Sequence, residues 1–207
     1  MAKSSEVGTL SLRERNKIRT RQELLQSALE VFADVGYGGA TMEAIAALAG
    51  ASKVTVYTYF PAGREELFRE LYEQINTELL ERAALVYADS GDYADHALAL
   101  ARALFDVAER PLYGRFYSID DPALDQAVNP VRGHASSVWI DLISDDLARA
   151  AARGEVCTEN PRALATLIVG AMRWALTDIA RGRTTAQDLL AGLDALVRGL
   201  ARRPMSP

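Results

Sequence analysis

Apolar residues recur at helical spacing along nearly the whole chain. In the N-terminal part, Leu25, Ala28, Leu29 and Phe32 stand at positions i, i+3, i+4 and i+7, which form one face of an α-helix. No stretch alternates strictly between apolar and polar residues, as a half-buried β-strand would. The 35 alanines favour the same conclusion, because alanine has the highest intrinsic helix propensity. The pattern predicts an all-α fold of about nine helices.

Capping residues and glycines divide this pattern into predicted helices. The first runs from about Thr20, whose spacing to Glu23 suits a capping box, to about Val35. Caps at Thr41 and Ser52 predict two short helices, and the three-residue glycine turn between them makes the pair a helix-turn-helix. The remaining helices are expected over about residues 64–88, 93–110, 131–153, 161–181 and 185–202, with short helical pieces and loops over 112–130.

The second helix of a helix-turn-helix enters the major groove of DNA, so it must be short, exposed and lightly charged. The predicted helix that begins after Ser52 has this character. Its side chains include a cation, small hydroxyls and phenols that can bind base edges or phosphates, and an apolar group that can contact thymine methyl groups. The expected DNA contacts are Ser52, Lys53, Val54, Thr55, Tyr57, Thr58 and Tyr59. Thr41 begins the preceding helix, whose free backbone N–H groups can bind a further phosphate.

Charge is distributed unevenly along the chain. The net charge of -5 argues against nucleic acid when it is taken globally. However, Ser11 to Arg21 contain five basic residues against one acid, a local charge of +4. On charge alone this segment is a solvated basic tail, but the helix-turn-helix that follows favours a DNA-facing arm. Its expected phosphate contacts are Arg15, Lys17 and Arg19.

One segment resembles the signature of the tetracycline-repressor (TetR) family: residues 40–60, which read ATMEAIAALAGASKVTVYTYF. The similarity extends from about Thr20 to Phe68, roughly a quarter of the chain. Val54 stands where the family often has glycine or a small residue. The link after residue 60 is one residue longer than usual, and we assign the family's phosphate-contacting lysine role to Arg64.

The resemblance implies a ligand-responsive transcriptional regulator, usually a repressor. Such a protein binds a near-palindromic double-stranded DNA operator as a homodimer and is released when a small molecule binds the C-terminal domain. We therefore expect a flexible basic arm over 1–19, a helix-turn-helix DNA-binding domain over 20–63, and a ligand-binding and dimerisation domain over 64–207. The alternative function is a helical small-molecule-binding or protein-interaction module without sequence-specific DNA binding.

Dimerisation is expected from the last two helices. The helix over 161–181 is apolar around most of its girth, which indicates either a central core position or a surface shared with a partner. We predict a four-helix dimer interface, and the alternative is that the same residues form only the core of one chain. The expected interface residues are Leu164, Ile168, Ala171, Met172, Leu189, Leu193, Leu196, Val197 and Leu200.

A ligand pocket is expected among polar and aromatic residues on the middle helices, although each of them also suits an ordinary core or surface position. The candidates are Tyr72, Arg102, Phe105, Phe116, Tyr117, His134, Trp139 and Trp174. Arg102 lies in an apolar segment, so it could meet an anionic ligand or reach solvent from the flank of its helix.

Candidate catalytic and metal-binding chemistry is sparse. His96 and His134 are far apart in the sequence, and Cys157 is the single cysteine. Neither a zinc-ligand spacing nor a nucleophile, Walker or dinucleotide-binding motif occurs. We expect no enzyme activity, no catalytic residue, no metal and no cofactor. The longest uncharged apolar run has ten residues and the N-terminus lacks a signal peptide, so we expect a cytoplasmic protein without a membrane partner.

Overall fold

A computed structural model describes residues 11–121, Leu124 and residues 133–201 of the chain. Apart from an isolated bridge between Val156 and Ala201, the regular structure in these ranges is helical, which confirms the all-α prediction. The nine helices described are α1 (Leu12–Gly39), α2 (Met42–Leu48), α3 (Lys53–Tyr59), α4 (Arg64–Val86), α5 (Tyr93–Glu109), α6 (Pro111–Tyr117), α7 (His134–Ala152), α8 (Pro161–Ala180) and α9 (Ala186–Arg198).

Helix α1 begins at Leu12, earlier than the predicted start near Thr20. Ser11 is the N-cap: its Oγ accepts a hydrogen bond from the Glu14 backbone N–H at 3.2 Å, and the Glu14 carboxylate accepts one from the Ser11 N–H at 2.8 Å. This reciprocal pair is a capping box, so the prediction of the box at Thr20 and Glu23 was wrong. Residues 12–19 of the expected flexible arm are helical, and residues 1–10 lie outside the described residues.

An aromatic cluster joins the first four helices to the rest of the molecule. The Phe68 ring on α4 lies 5.1 Å from Phe32 and 5.2 Å from Tyr37, both on α1, and 4.6 Å from Phe116 on α6. Tyr37 reaches this cluster because α1 bends at Gly36, whose φ of 72° favours glycine. The helix-turn-helix is therefore packed against the α4 and α6 helices through a shared core.

The turn between α5 and α6 requires glycine at position 114. Pro111 begins α6 directly after α5 ends, so the two helices meet at a sharp corner. A Cβ atom at Gly114 would overlap the backbone carbonyl group of Ala108. Only a residue without a side chain lets the two backbones approach this closely.

Helix α8 is a core helix with one exposed face. By length and composition it could cross a membrane, although the sequence led us to expect no such helix. Seven of its residues are buried within the chain, which is the pattern of a core helix.

Four predicted interface residues belong instead to the core of the single chain: Ile168, Met172, Leu193 and Val197. For these four the dimer prediction was wrong, because intrachain packing already covers them. Leu164, Leu189 and Leu200 are partly buried, whereas Ala171 and Leu196 are exposed.

Candidate nucleic-acid interface

The two short helices are built from local caps. The Thr41 hydroxyl accepts a hydrogen bond from the Ala44 N–H at 3.1 Å and begins α2. Ser52 caps α3 in the same way, accepting from the Thr55 N–H at 3.0 Å. Gly50, with φ of 62°, makes the turn between them. The caps and the turn hold α3 against α2, while the opposite face of α3 is exposed to solvent.

The exposed face of α3 carries most of the predicted reading residues. Lys53, Val54, Tyr57 and Thr58 line a shallow groove, and the Val54 side chain is 76% exposed. Thr55 and Tyr59 are half-buried. An exposed apolar side chain on a reading helix is suited to contact with a thymine methyl group.

Several hydroxyls of the predicted set are already used within the protein. Ser52 Oγ lies 2.8 Å from Thr55 Oγ1, in addition to its role as the cap. Thr58 donates to the Val54 carbonyl oxygen at 2.9 Å. These groups therefore stabilise α3 itself, while the cation, the valine and the Tyr57 phenol remain the groups that project from it.

A basic groove of about 830 Å³ runs between the start of α1 and the end of α3. Its lining cations are Arg13, Lys17 and Arg21, which recur every fourth residue along one face of α1. Arg15 and Arg19, which were also predicted to contact phosphates, do not line this groove. The four-residue spacing of these three cations is visible in the sequence. It places them on one face only if the segment is helical, which was not predicted for residues before Thr20.

Arg21 connects the groove to the protein core. Its guanidinium group contacts the Glu70 carboxylate on α4 and lies 4.5 Å from the centre of the Phe60 ring. The cation at the inner end of the groove is thus held in place by α4 and by the residue that ends α3.

Arg64 has a structural position that differs from the predicted one. Its Nη1 donates to the carbonyl oxygens of Tyr37 at 3.0 Å and Ala40 at 3.1 Å, and its guanidinium carbon lies 4.4 Å from the Tyr37 ring centre. The side chain is half-buried at the end of α1. Nη1 of Arg64 therefore stabilises the end of α1, and the contact of this residue with a DNA phosphate stays a prediction.

Lys53 is paired with Glu43 on α2. The hydrogen bond between them raises the pKa of the Lys53 ammonium group and lowers the pKa of the Glu43 carboxyl group, and both side chains are exposed. The reading helix therefore presents a charged lysine beside an acidic neighbour.

The segment with this geometry matches a known family. Residues 24–71 match the family model described as bacterial regulatory proteins of the tetR family. Over this segment the chain is similar to the TetR family. Over 92 residues it is 32% identical to an uncharacterised HTH-type transcriptional regulator, YhgD, of Bacillus subtilis (strain 168). That match covers 44% of this chain and spans about half the length of the relative, 46%.

Solved structures of TetR-like proteins share the fold beyond the helix-turn-helix. A TetR-like transcriptional regulator from Rhodococcus sp. RHA1 superposes with a TM-score of 0.71 at 22% identity, covering 87% of this chain and 95% of that one. The fatty acid degradation regulator FadR from Bacillus halodurans has a TM-score of 0.74 at 17% identity, over 89% and 97% of the two chains. At these identities the likeness concerns the fold alone.

The predicted ligand residues fall into three groups. Arg102 and His134 are exposed and Trp174 is 66% exposed, so the structure does not place them in a closed pocket. Phe105 and Phe116 are fully buried core residues. Tyr72, Tyr117 and Trp139 lie together around Arg173, a residue that was not among the predicted ones.

Proposed function

We propose that this chain is a transcriptional regulator of the TetR family that binds double-stranded DNA through α3 and the basic groove. The exposed face of α3 is the observation that carries the proposal. Lys53, Val54 and Tyr57 project from a capped helix whose opposite face is buried through Val56. Arg13 and Lys17 lie beside its C-terminal end, where they can bind phosphates on the strands that flank the major groove.

We further propose that the protein acts as a homodimer. An exposed stripe, defined as Ala163, Leu167, Gly170, Ala171 and Trp174, follows one face of α8. Leu167 is 71% exposed and Trp174 is 66% exposed, and Leu196 on α9 is 52% exposed. Large apolar side chains grouped on one helix face are typical of a protein interface. A dimer would supply the two reading helices that a near-palindromic operator needs.

The proposed regulation assigns DNA binding and ligand binding to two different parts of the chain. Residues 20–63, with the helical part of the arm before them, would bind DNA, and residues 64–207 would dimerise and bind a small molecule. Release of DNA would follow if the ligand favours an arrangement in which the two reading helices no longer match adjacent major grooves. We propose repression as the regulatory outcome and the cytoplasm as the location.

The alternative is a helical binding module without sequence-specific DNA binding. The basic groove beside an exposed α3 favours the regulator, because a scaffold would not need three cations at one end of the presented helix. We propose no enzymatic activity for this chain.

Fluorescence anisotropy tests DNA binding, using duplexes that tile the intergenic DNA upstream of the protein's own gene. We expect one duplex to bind specifically, with log affinity falling linearly as log salt rises. Lys53→Gln should weaken that binding by about tenfold. Arg102→Gln removes the same charge from an exposed site on α5 and is the matched control. Equal affinity for all duplexes, or equal effects of both variants, would exclude the proposed reading role of α3.

A further inference from the structure

Arg173 on α8 is a half-buried cation that forms no ion pair with a carboxylate within residues 11–121 and 133–201. Its Nη1 donates to Ser136 Oγ at 2.9 Å, so its neighbours in the described part of the chain are neutral hydroxyl groups. Burial acts to lower the pKa of the guanidinium group, but interaction with Tyr72 and Tyr117 raises it above its ordinary value. A guanidinium has five N–H donors, and its positive charge here is not balanced by a described carboxylate.

A buried indole N–H lies near Arg173. Trp139 is 2% exposed, and among the described residues its N–H has no hydrogen-bond partner. The Tyr72 hydroxyl is equally buried and interacts with Arg173, and its ring stacks on Tyr117 at 4.5 Å. Buried polar groups normally have partners, so the unused indole donor beside a cation indicates a missing acceptor.

The space around these groups has two parts. A chamber of about 10 Å³, lined by Trp139, Arg173, Tyr117 and Ser136 among others, has room for about one water-sized group. A cleft of about 410 Å³ shares Tyr117 and Arg173 with the chamber and opens outwards. Arg173 thus lies between a small donor-lined chamber and a cleft large enough for an organic molecule.

The cleft combines apolar walls with positive charge. Ile119 and Leu176 supply apolar surface, and Arg181 adds a second cation. Trp174 borders the cleft at the edge of the proposed dimer stripe. Asp120 also lines the cleft, and it has an interaction of its own. An anionic group at the inner end and an apolar body towards the mouth would match this arrangement.

We propose that the cleft binds an organic carboxylate with an apolar body. The carboxylate accepts hydrogen bonds from the Arg173 guanidinium, and one of its oxygens enters the chamber to accept from the Trp139 N–H. Arginine suits this role because its planar fork matches the two oxygens of a carboxylate. The assignment deepens the proposed function by naming the effector class, and it rests on that function only for the link to DNA.

A continuous row of aromatic rings connects this site to the DNA-binding helices. From Tyr117 the row passes to Tyr72 at 4.5 Å and then to Phe68 at 6.1 Å. Phe68 contacts Tyr37, the residue on which Arg64 stacks at the end of α1. A ligand that displaces Tyr117 would therefore change packing that continues to the helix-turn-helix.

Isothermal titration calorimetry of the full chain, without DNA, tests the site. The probes are octanoate, 4-phenylbutyrate and 2-naphthoate, each paired with its primary amide, which has the same body without the charge. We expect at least one carboxylate to bind tenfold or more tightly than its amide. Arg173→Met should raise the Kd of that carboxylate to the value of the amide, whereas Arg173→Lys should retain part of the preference. Arg153→Met, at an exposed position at the end of α7, is the control and should leave the Kd unchanged.

The proposal is overturned if no carboxylate binds better than its amide. It is also overturned if Arg173→Met and Arg153→Met change the Kd equally in variants that melt at the wild-type temperature. A loss of melting temperature in Arg173→Met leaves Arg173→Lys and Trp139→Phe to decide, since both should weaken the carboxylate more than the amide. DNA affinity is measured separately. Carboxylate preference without DNA binding would sustain the site and refute the proposed function, and the reverse result would refute only the site.

Discussion

The Lys53 ammonium group on α3 is held by the Glu43 carboxylate on α2, across the turn of the helix-turn-helix. Lys53 also lies 6.0 Å from the centre of the Tyr57 ring. The acid therefore competes with a DNA phosphate for the one cation on the reading helix.

Removal of this competitor should strengthen DNA binding. We expect Glu43→Gln to raise DNA affinity about two- to fivefold in low salt, with the gain shrinking as salt screens the charges. Glu81→Gln makes the same change in net charge at an exposed position on α4 and serves as the control. Anisotropy titrations at two salt concentrations measure the effect. Equal gains in the two variants would mean that net charge, and not release of Lys53, is responsible.

Arg64 should stabilise the protein, because it binds the carbonyl groups at the end of α1 and stacks on Tyr37. We expect Arg64→Ala to lower the free energy of unfolding by about 2 kcal/mol, the range for hydrogen bonds that involve a charged group. Urea denaturation measures this, and Arg102→Ala should change stability by less than about 0.5 kcal/mol. Unchanged stability together with weaker DNA binding would restore the phosphate-contacting role predicted from the sequence.

Two equally exposed leucines offer a matched test of the dimer interface. Leu167 on α8 and Leu85 on α4 are each 71% exposed. We expect Leu167→Glu to convert the dimer to monomer at micromolar concentration, because a charge would be buried without a partner at the interface. Leu85→Glu should remain dimeric. Sedimentation velocity distinguishes these results, and a dimeric Leu167→Glu protein would show that this stripe of α8 is not the interface.

A pair of glycine substitutions tests the corner between α5 and α6. Gly114→Ala should lower the free energy of unfolding by about 1–3 kcal/mol, because its Cβ would overlap the Ala108 carbonyl and force the helices apart. Gly192→Ala in α9 meets no atom within 4 Å and should raise it by about 0.5–1 kcal/mol through helix propensity. Both are measured by urea denaturation at one protein concentration. A neutral Gly114→Ala would mean that the corner can relax.

The local features of this fold were predictable from the sequence, because they depend on contacts between residues three or four positions apart. The caps at Thr41 and Ser52 and the start of α8 at Pro161 are confirmed in the structure. The Ser11 capping box was missed, although its Ser-x-x-Glu spacing is visible in the sequence, because Thr20 and Glu23 present the same spacing.

Tertiary structure alone decided how the charged side chains are used. The resemblance assigns Arg64 to a phosphate contact, yet its Nη1 donates to the carbonyl groups of Tyr37 and Ala40, 24 to 27 residues away in sequence. Arg173 was overlooked because its donor-lined surroundings come from α4, α6 and α7 as well as α8. Sequence spacing carries no information about neighbours that distant helices supply.

The orientation of α8 is a second feature that the sequence could not predict. The sequence by itself determined that this helix is apolar around most of its girth, and hence that it lies in a core or at an interface. The sequence could not determine which face is buried in the core and which is exposed, because a helix that is apolar nearly all round has no polar side to orient it. Packing against α5 and α7 decided this by burying Ile168 and Met172 and leaving Leu167 and Trp174 in solvent.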